Sequence, residues 1–534
     1  MIKIKGRLKN LNNWSTIEFT PQNSNVYDAN AITEKVFSNT NLKEIFPQKP
    51  FATEWYCYDL FYNQIAHTSI QLDSLLKSIH HFDKIIFIEC ESKYKKYLNL
   101  YFHFYKIPHK FTQKKSIIFS QIINFFLQIF LVFFSVLSII FFYLKNDQKV
   151  GLWTGDYTDS NGGFDPRLGD LRKKINITIV EFIRYSSIGP LTCLKNFLKR
   201  KRSVIYYTSF KYFLLFIPPR KSLVRTTDFH LFCVSSFLHE IETELKLVKF
   251  WQYIFKKIKI NNFIVWFFSH RTAGLLWACK KNNINTIGIM HGLTTPYHMG
   301  HEYLPSFKDF PYGPDKFGVW NEFWRSKYQS ISKFYPKDSI QISGALRPNK
   351  KIILKNIRQK SSVTNVLFIS EQSVPPEQIY PFYESIISDN NIKIYLKVRN
   401  FGVDSYFKKF QEERPDLLKK ISILNIDLID AMKLADVVIG SHSTAVLEAA
   451  LYSIPFIFIY TPMWQDYFEM DLLNKKLSPP YPTFIHRPTQ LKNAIKLAKQ
   501  DSDQSDIFLN EIKTIFFGDQ NISGTDWISK QLIF

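Results

Sequence analysis

The sequence predicts a mixed α/β protein that contains one long hydrophobic helical segment. Short β-branched or aromatic runs recur along the chain, and most end in a polar or Gly-containing turn that leads into a helix-forming stretch. That alternation is typical of parallel α/β sheets. The hydrophobic segment is indicated by the run from Ser116 to Leu144, which holds 29 residues without a charge. With 534 residues, the chain is long enough for two or three domains.

The composition favours a folded, basic, intracellular protein. The net charge of +23 favours an anionic partner such as lipid headgroups, nucleotide phosphates or nucleic acid, and a hydrophobic content of 46% excludes a largely disordered chain. The first residues lack the apolar stretch of a cleaved signal peptide. The cysteines form no CxxC pair, which argues against a disulfide scaffold and a zinc site and fits a reducing cytoplasm. They are Cys57, Cys90, Cys193, Cys233 and Cys279.

Residues 1–113 are predicted to form an N-terminal α/β portion. We expect a helix from Ser74 to His81, a strand from Lys84 to Glu89 and a second helix from Lys93 to Phe104. The pattern does not decide whether this portion folds separately or begins a larger sheet.

Residues 114–146 form the hydrophobic segment, which we expect to associate with a membrane. It is longer than the roughly 20 residues that cross a bilayer. It could span the membrane, or it could be a monotopic or re-entrant anchor that leaves both flanks in the cytoplasm. Both flanks are basic, with Lys114 and Lys115 before the run and Lys145 after it, so the positive-inside rule gives no orientation. We favour the anchor, at the cytoplasmic face of the inner membrane; a buried core helix is the alternative.

Residues 147–350 are predicted to form a first Rossmann-like domain. Its first strand, Lys149 to Thr154, runs into a Gly- and Asp-rich loop, and α/β sheets bind ligands at the carboxyl ends of their strands. Asp156, Asp165 and Asp170 in that loop are therefore candidates for binding acceptor hydroxyls. The alternative is that these carboxylates only cap helices and turn the loop.

Two later strands of this domain also end in polar residues. The strand Phe263 to Phe268 is followed by Arg271, a candidate for acceptor binding, and the strand Thr286 to Met290 is followed by His291 and Gly292. An imidazole titrates near neutral pH, which suits a general base, and a Gly lets a ligand approach the backbone. A single His is more often structural, so His291 is a hypothesis.

Residues 363–534 are predicted to form a second Rossmann-like domain after a basic connection. The strand Asn365 to Ser370 ends in a hydroxyl, and the strand Lys393 to Val398 is followed by Arg399. Ser370 is a candidate for donor binding at the carboxyl end of its strand. Lys397 or Arg399 could supply positive charge to a donor phosphate.

The stretch from Ala435 to Tyr460 predicts a strand, a cluster of hydroxyl residues, a helix over Ala445 to Leu451 and a second strand. Hydroxyls and unpaired backbone N–H groups coincide where that helix begins, which favours an anion. Glu448 follows one helical turn after Thr444 and could accept both hydroxyls of a ribose. The alternative is that the hydroxyls cap a helix and Glu448 is solvated. The cluster comprises Ser441, His442, Ser443 and Thr444.

This stretch resembles the donor-site signature SxSTxxxEAxxxxxP of glycosyltransferase B (GT-B) enzymes that build bacterial surface polysaccharides. The His291-Gly292 pair is similar to the base motif of the polyol-phosphate transferase and polysialyltransferase-like group. The resemblance implies two Rossmann-like domains facing across a cleft. It further implies that residues 363–534 bind a nucleotide-sugar and that residues 147–350 bind a glycan or lipid-linked acceptor. Transfer would be inverting, with His291 as base and without a metal or cofactor.

The chain departs from that family pattern at one point. Relatives commonly have KxHP where this sequence reads Lys397-Val398-Arg399-Asn400, so the subfamily, the nucleotide and the sugar stay open. Two other functions stay open as well. One is transfer of a polyol phosphate from a CDP-glycerol-type donor. The other is a non-enzymatic, membrane-attached protein that binds polysaccharide or nucleic acid, although the sequence has no nucleic-acid-binding motif and we expect no such partner.

Overall fold

The structure is a computed structural model of the chain. It describes residues 2–9, 14–21, 26–38, 53–111, 115–154, 171–172, 174–183, 204–214, 226–265, 268–290, 292, 313–332, 334–346, 362–370, 374, 376–398, 405–441, 443–461, 477–500, 503–519 and 521–533.

Strands and helices alternate through most of the described chain. The strands are β1 (Ile2–Leu8), β2 (Trp14–Phe19), β3 (Phe82–Glu89), β4 (Lys149–Thr154), β5 (Thr178–Ile183), β6 (Val204–Tyr206), β7 (Ile260–Val265), β8 (Asn285–Ile289), β9 (Lys316–Val319), β10 (Ile340–Ile342), β11 (Thr364–Ile369), β12 (Ile392–Lys397), β13 (Ser422–Leu424), β14 (Val437–Gly440), β15 (Phe456–Ile459) and β16 (Phe484–Ile485). The helices are α1 (Val26–Phe37), α2 (Thr53–Phe61), α3 (His67–Ile79), α4 (Ser92–Phe104), α5 (Lys115–Leu144), α6 (Tyr207–Leu214), α7 (Phe229–Ser235), α8 (Leu238–Lys257), α9 (Ala273–Lys281), α10 (Glu322–Ile331), α11 (Tyr380–Glu384), α12 (Ser405–Glu413), α13 (Pro415–Leu418), α14 (Leu428–Met432), α15 (Thr444–Leu447), α16 (Pro488–Lys499), α17 (Asp503–Ile512) and α18 (Gly524–Gln531).

The first parallel sheet has seven strands in the order β10-β9-β8-β7-β4-β5-β6. Every neighbouring pair is parallel, so all the carboxyl ends lie along one edge. The chain builds outward from β4 to one side and from β7 to the other, which puts the topological switch point between β4 and β7. Ligands of open α/β sheets bind in the crevice at such a point.

The second parallel sheet has six strands in the order β13-β12-β11-β14-β15-β16. Here too every neighbouring pair is parallel, and the strand order reverses between β11 and β14. Strands β14 and β15 are fully buried and almost entirely apolar, and Val366 to Phe368 of β11 are buried as well, as expected where helices cover both faces of a parallel sheet. The predicted mixed α/β fold with parallel sheets is therefore confirmed.

The stretch after β11 differs from the sequence pattern, which predicts one helix near Glu377 to Ser388. The structure divides it into a 3₁₀ turn, Pro376–Gln378, and the short helix α11. Pro381 lies in the first turn of α11. Proline has no N–H to donate to the preceding turn, so a new helix starts there.

The N-terminal portion contains its own antiparallel sheet, in the order β2-β1-β3. Strand β3 and helix α4 agree with the elements predicted there. Helix α3 begins at His67, well before the predicted start at Ser74, and the sequence analysis does not predict β1 and β2. This portion packs on the first parallel sheet's domain. The rings of Trp55 and Phe334 lie 5.2 Å apart, and Lys96 forms an ion pair with Glu240 at 2.8 Å. Its sheet is thus separate, but its helices share the core of the first domain.

The C-terminal segment returns from the second sheet to the first. The indole of Trp324 donates to the carbonyl of Phe516, and helix α18 packs on β8 and β9. The buried amide of Asn262 then bonds both backbone groups of Ile533, donating to its carbonyl at 2.7 Å and accepting from its N–H at 2.9 Å. The tail therefore ends on the first sheet, and α18 belongs to that sheet by its packing.

Replacing Asn262 with Ala should weaken the attachment of the C-terminal tail to the first sheet. The substitution removes two hydrogen bonds to Ile533 in a buried place, which costs about 2 kcal/mol. We expect a lower melting temperature and faster protease cleavage after Gln531. Asn510→Ala, at an exposed position, is the matched control. Equal cleavage rates in the two variants would contradict the role given to Asn262.

Candidate functional site

The switch point of the second sheet brings together the predicted donor-binding residues that the structure describes. Ser370 follows β11, and Ser441 and Ser443 follow β14, its neighbour in the sheet. All three are buried, so their hydroxyls lie in a recess at the carboxyl edge. The N–H of Ser370 donates to the carbonyl of Lys397 at 3.1 Å, which ties the end of β11 to the end of β12.

Glycine at position 440 is required by the close packing of the turn that follows β14. A Cβ atom built on Gly440 would lie 2.6 Å from Cγ2 of Val446, well inside van der Waals contact. Helix α15 can therefore start directly over the end of the strand. The hydroxyl cluster lies in this tight strand-to-helix turn.

The helix predicted over Ala445 to Leu451 is shorter than expected. Helix α15 ends at Leu447 and continues as 3₁₀ turns, Glu448–Tyr452, until Ser453 adopts a left-handed conformation with φ of 54°. A 3₁₀ turn rises about 2.0 Å per residue rather than 1.5 Å, so it reaches the start of β15 in fewer residues. With so few aligned peptides, α15 has only a small helix dipole, so the predicted anion site depends on the hydroxyls and backbone N–H groups of the turn.

The hydroxyl of Ser443 is not used to cap this helix. Ser443 occupies the N-cap position with an extended backbone, but within the described part of the chain its side chain makes no capping hydrogen bond. The alternative, that Ser443 is a simple helix cap, is therefore not supported. Glu448 is half-buried and lies one α-helical turn beyond Thr444, on the same side of the turn.

Lys397 has a local partner in this structure. Its side chain is buried, and its amine donates to the carbonyl of Val398. The amine stays at the carboxyl end of β12, where the sequence predicted a positive charge for a donor phosphate. That contact must be exchanged before the amine reaches a phosphate.

The carboxyl edges of the two sheets approach each other at Gly292. This residue follows β8 of the first sheet, and a Cβ atom built on it would lie 3.6 Å from Oγ1 of Thr444 in the second domain. Gly292 is the neighbour of His291, which lies outside the described residues. The chain of the first domain therefore reaches the hydroxyl cluster next to the predicted base.

A cavity of about 240 Å³ lies at the carboxyl edge of the first sheet. It lies beside the switch point, because the hydroxyl of Tyr207, after β6, accepts from the indole of Trp153 in β4 and donates to the carbonyl of Arg271, after β7. The wall contains both polar and apolar side chains. The polar ones are Gln64, Thr208, Lys211, Glu240, Glu244, His270 and Arg271.

His270 is positioned by a buried carboxylate of the N-terminal portion. Oδ2 of Asp59 lies 2.5 Å from Nδ1 of His270 and accepts the His270 backbone N–H at 2.7 Å. Burial raises the pKa of Asp59, but the neighbouring imidazole and its hydrogen bonds outweigh burial and hold that pKa below its usual value. The pair orients the imidazole in the cavity wall.

Lys211 and the glutamates form a second charged group in the same wall. The Lys211 amine donates to Glu244 at 2.9 Å and to the hydroxyl of Tyr56 at 2.7 Å. Burial lowers the pKa of Lys211, but these partners raise it above its ordinary value. Burial raises the pKa of Glu240, but Lys96, together with Lys211 and His270, brings it below its ordinary value. The wall thus presents fixed charges of both signs, a surface suited to a hydroxyl-rich ligand.

The structure divides the predicted site residues into two groups. Ser370, Lys397, Ser441, Ser443, Thr444 and Glu448 lie at the edge of the second sheet, and Arg271 lies in the wall of the cavity. The other predicted residues lie outside the described part of the chain, and their roles stay predictions. They are Asp156, Asp165, Asp170, His291, Arg399 and His442. Among the residues that the structure describes, no three His, Cys, Asp or Glu side chains converge to hold a metal ion.

Replacing Asp59 with Asn should change how the melting temperature depends on pH, because Asp59 pairs with His270. A carboxyl whose folded-state pKa is depressed stabilises the fold above its unfolded pKa of about 3.9, and that stability is lost as pH falls through the folded value. We expect the variant to melt lower than the wild type near pH 5, by a gap equivalent to about 3 kcal/mol. The gap should close towards pH 3.

Asp73→Asn, at an exposed position on α3, is the control for this pH series. It should show only a small gap, because exposed ion pairs contribute little. A gap for Asp59→Asn that persists unchanged to pH 3 would contradict the assigned pairing.

Replacing Gly440 with Ala should strain the turn against Val446. The added methyl overpacks a buried contact, which costs about 2 kcal/mol. Adding Val446→Ala makes room, so the double variant should be more stable than the sum of the single effects predicts, by about 1 kcal/mol. Melting of the four proteins gives this coupling, and strict additivity would be the contrary result.

No protein-family model matches the chain, and no curated protein matches it. Solved structures of GT-B glycosyltransferase-like proteins are similar to it. A UDP-GlcNAc 2-epimerase from Neisseria meningitidis, bound to UDP-GlcNAc, is 12% identical over 72% of this chain and 99% of its own, with a TM-score of 0.45. The glycotransferase of kitacinnamycin is 10% identical over 73% and 100%, with a TM-score of 0.46. MurG from Acinetobacter baumannii is 12% identical over 72% and 100%, with a TM-score of 0.43. The site described above rests on the contacts of this chain alone.

Proposed function

We propose that this protein is a glycosyltransferase that moves a sugar from a nucleotide-activated donor to a glycan or lipid-linked acceptor. The observation that carries the proposal is the approach of Gly292 to Thr444, because it sets the residue beside His291 against the hydroxyl cluster. The sequence resemblance to GT-B enzymes supports the same division, with the donor on the second sheet and the acceptor on the first.

The donor half of the site binds the nucleotide. Ser441, Ser443 and Thr444, with the backbone N–H groups of α15, offer hydrogen bonds to a phosphate. Glu448, one turn further on, accepts the ribose hydroxyls. Ser370, together with Arg399 and His442, completes the contacts, and Lys397 adds positive charge after exchanging its local partner.

The acceptor half uses the cavity of the first domain. Arg271 and the charged side chains beside it donate to and accept from sugar hydroxyls. Asp156, Asp165 and Asp170 contribute from the loop after β4. An acceptor held here has its reactive hydroxyl directed towards the gap between Gly292 and Thr444.

Transfer inverts the anomeric carbon. The acceptor oxygen attacks that carbon as its proton passes to His291, and the bond from the carbon to the donor phosphate oxygen breaks. The departing phosphate carries the new negative charge, which the hydroxyl cluster and its backbone N–H groups stabilise. The chain's own groups provide both proton transfer and charge stabilisation, without a metal or cofactor in the mechanism.

The proposal also places the protein on the cytoplasmic face of the inner membrane, where it would build a surface polysaccharide. The hydrophobic segment and the charge of +23 support this location.

Nucleotide binding tests the donor half. Detergent-solubilised protein is melted with CMP, CDP, UDP, GDP or dTDP, because a ligand that binds only the folded state stabilises it, by about 2.7 kcal/mol at a hundred times its dissociation constant. We expect one nucleotide to raise the melting temperature of the wild type and of His291→Ala, but not of Glu448→Ala. Glu412→Ala, an exposed glutamate of the same domain, is the matched control. If no nucleotide stabilises the wild type, the proposal of a donor site is wrong.

Turnover then distinguishes the remaining functions. With the matching nucleotide-sugar and a glycan acceptor, His291→Ala should lose transfer by about 10²- to 10⁴-fold and keep nucleotide binding. Isomerisation of the nucleotide-sugar without acceptor would indicate an epimerase, and transfer from CDP-glycerol would indicate a polyol-phosphate transferase. Nucleotide binding without any turnover would indicate a non-enzymatic binding protein.

A further inference from the structure

A single crossing of a membrane by helix α5 is incompatible with this fold. The helix is long and apolar enough to cross over Phe125–Leu144. However, the residues before it pack on residues after it: Asp59 bonds His270, and Lys96 bonds Glu240. A single crossing would put these partners on opposite sides of the bilayer. The two flanks of α5 therefore lie on the same side.

One stripe of α5 packs on the protein, and it is the more polar stripe. The buried positions follow the heptad spacing of a helix seam, three and four residues apart. They are Gln128, Leu131, Ser135, Ser138 and Phe142. The hydroxyl of Ser135 accepts the backbone N–H of Tyr206 at 2.9 Å, so this stripe also covers the edge strand β6.

The opposite side of α5 is made of large apolar side chains that the described chain leaves exposed. Phe133 is 57% exposed and Phe141 is 52% exposed. A helix of a water-soluble protein has the reverse pattern, with apolar residues inward and polar residues outward. Small and polar residues against protein, with large apolar residues outward, are typical of helices that face lipid. The outward residues are Phe126, Ile129, Phe133, Val136, Leu137, Ile140, Phe141, Tyr143 and Leu144.

Helix α5 runs antiparallel to the strands beside it. The Lys145 amine, just after the helix, bonds Thr178 at the start of β5, whereas Ser135 bonds Tyr206 at the end of β6. The residues before Ser135 continue past the carboxyl edge of the sheet for roughly 30 Å at 1.5 Å per residue. The exposed apolar residues Phe126, Ile129 and Phe133 therefore lie towards the carboxyl edge of the first sheet, the edge that holds the cavity.

We propose that α5 lies in the plane of one leaflet of an anionic membrane, with its outward side among the acyl chains. Lys145, just beyond the end of the helix, is 51% exposed and close enough to meet anionic headgroups, which the net charge of the chain also favours. This inference rests on the proposed membrane location and adds its geometry. It does not depend on the transfer reaction.

This arrangement holds the cavity beside the headgroups. Helix α6 packs against α5, and the same helix contributes Tyr207, Thr208 and Lys211 to the cavity wall. One helix thus separates the membrane from the acceptor cavity. A lipid-linked acceptor can reach the cavity without leaving the leaflet.

Vesicle flotation tests the surface. Purified protein is mixed with phosphatidylcholine vesicles that contain or lack 30% phosphatidylglycerol, and the bound fraction is measured. The wild type should float with the anionic vesicles, and Phe133→Glu with Phe141→Glu should lower the apparent affinity by at least about tenfold, since two large apolar side chains leave the acyl layer. Tyr253→Glu, at an equally exposed aromatic elsewhere on the first domain, should bind as the wild type does.

Two other results of this experiment would overturn the proposal. One is flotation of the double variant equal to that of the wild type. The other is a stable dimer without flotation, which would make a second copy the partner of α5. Melting of the double variant checks that it is folded, and nucleotide binding by the same protein reports the donor site independently.

Cysteine labelling tests the geometry. In a chain with Cys90 and Cys193 replaced by Ser, single cysteines are placed at the exposed positions Thr16 and Asn510, before and after α5. With a membrane-impermeant maleimide, neither should react in intact spheroplasts, and both should react after lysis. Reaction of either position before lysis would show that α5 crosses the membrane or that the protein faces outward, and the proposed geometry would fail.

Discussion

Parallel strand pairing is the constraint on which both halves of the site depend. In each large sheet every pair is parallel, so all carboxyl ends share one edge, and the reversal of strand order leaves one crevice per sheet. Ser370 and Ser441 meet at one crevice, and His270 and Trp153 lie at the other, although each pair is far apart in sequence. Gly292 and Thr444 then bring the two edges together. The strand order of the two sheets therefore determines where the candidate site lies, whichever side chains line it.

The termini of the chain reinforce the first domain. Asp59 and Lys96 enter it from the N-terminal portion, and α18 enters it after the second sheet is complete. The first domain is therefore assembled from three separate parts of the sequence. The second sheet is built from one continuous part of the sequence, from β11 to β16.

The parts of the site that could be predicted are those set by local sequence. A β-branched run ending in Gly and hydroxyls identifies a strand tip, so Ser441, Ser443 and Thr444 were found without a structure. The pairing of Asp59 with His270 joins residues 211 apart in sequence, and no local pattern carries such a contact. His270 could have been singled out as a polar residue after a buried strand, but Lys211 and Glu244 lie on helices that read as ordinary amphipathic ones. The end of α15 was missed because a 3₁₀ turn has the same composition as an α-helix.

The polar stripe of α5 has a consequence for how the chain is made. Ser135 is synthesised 71 residues before its partner Tyr206. At 5 to 20 residues per second the ribosome needs roughly 4 to 14 s for that stretch. Helix α5 is thus synthesised before the strand that it covers. If α5 binds lipid as proposed, the nascent chain can dock at the membrane before its first sheet is complete, and translation would then determine where the finished protein resides.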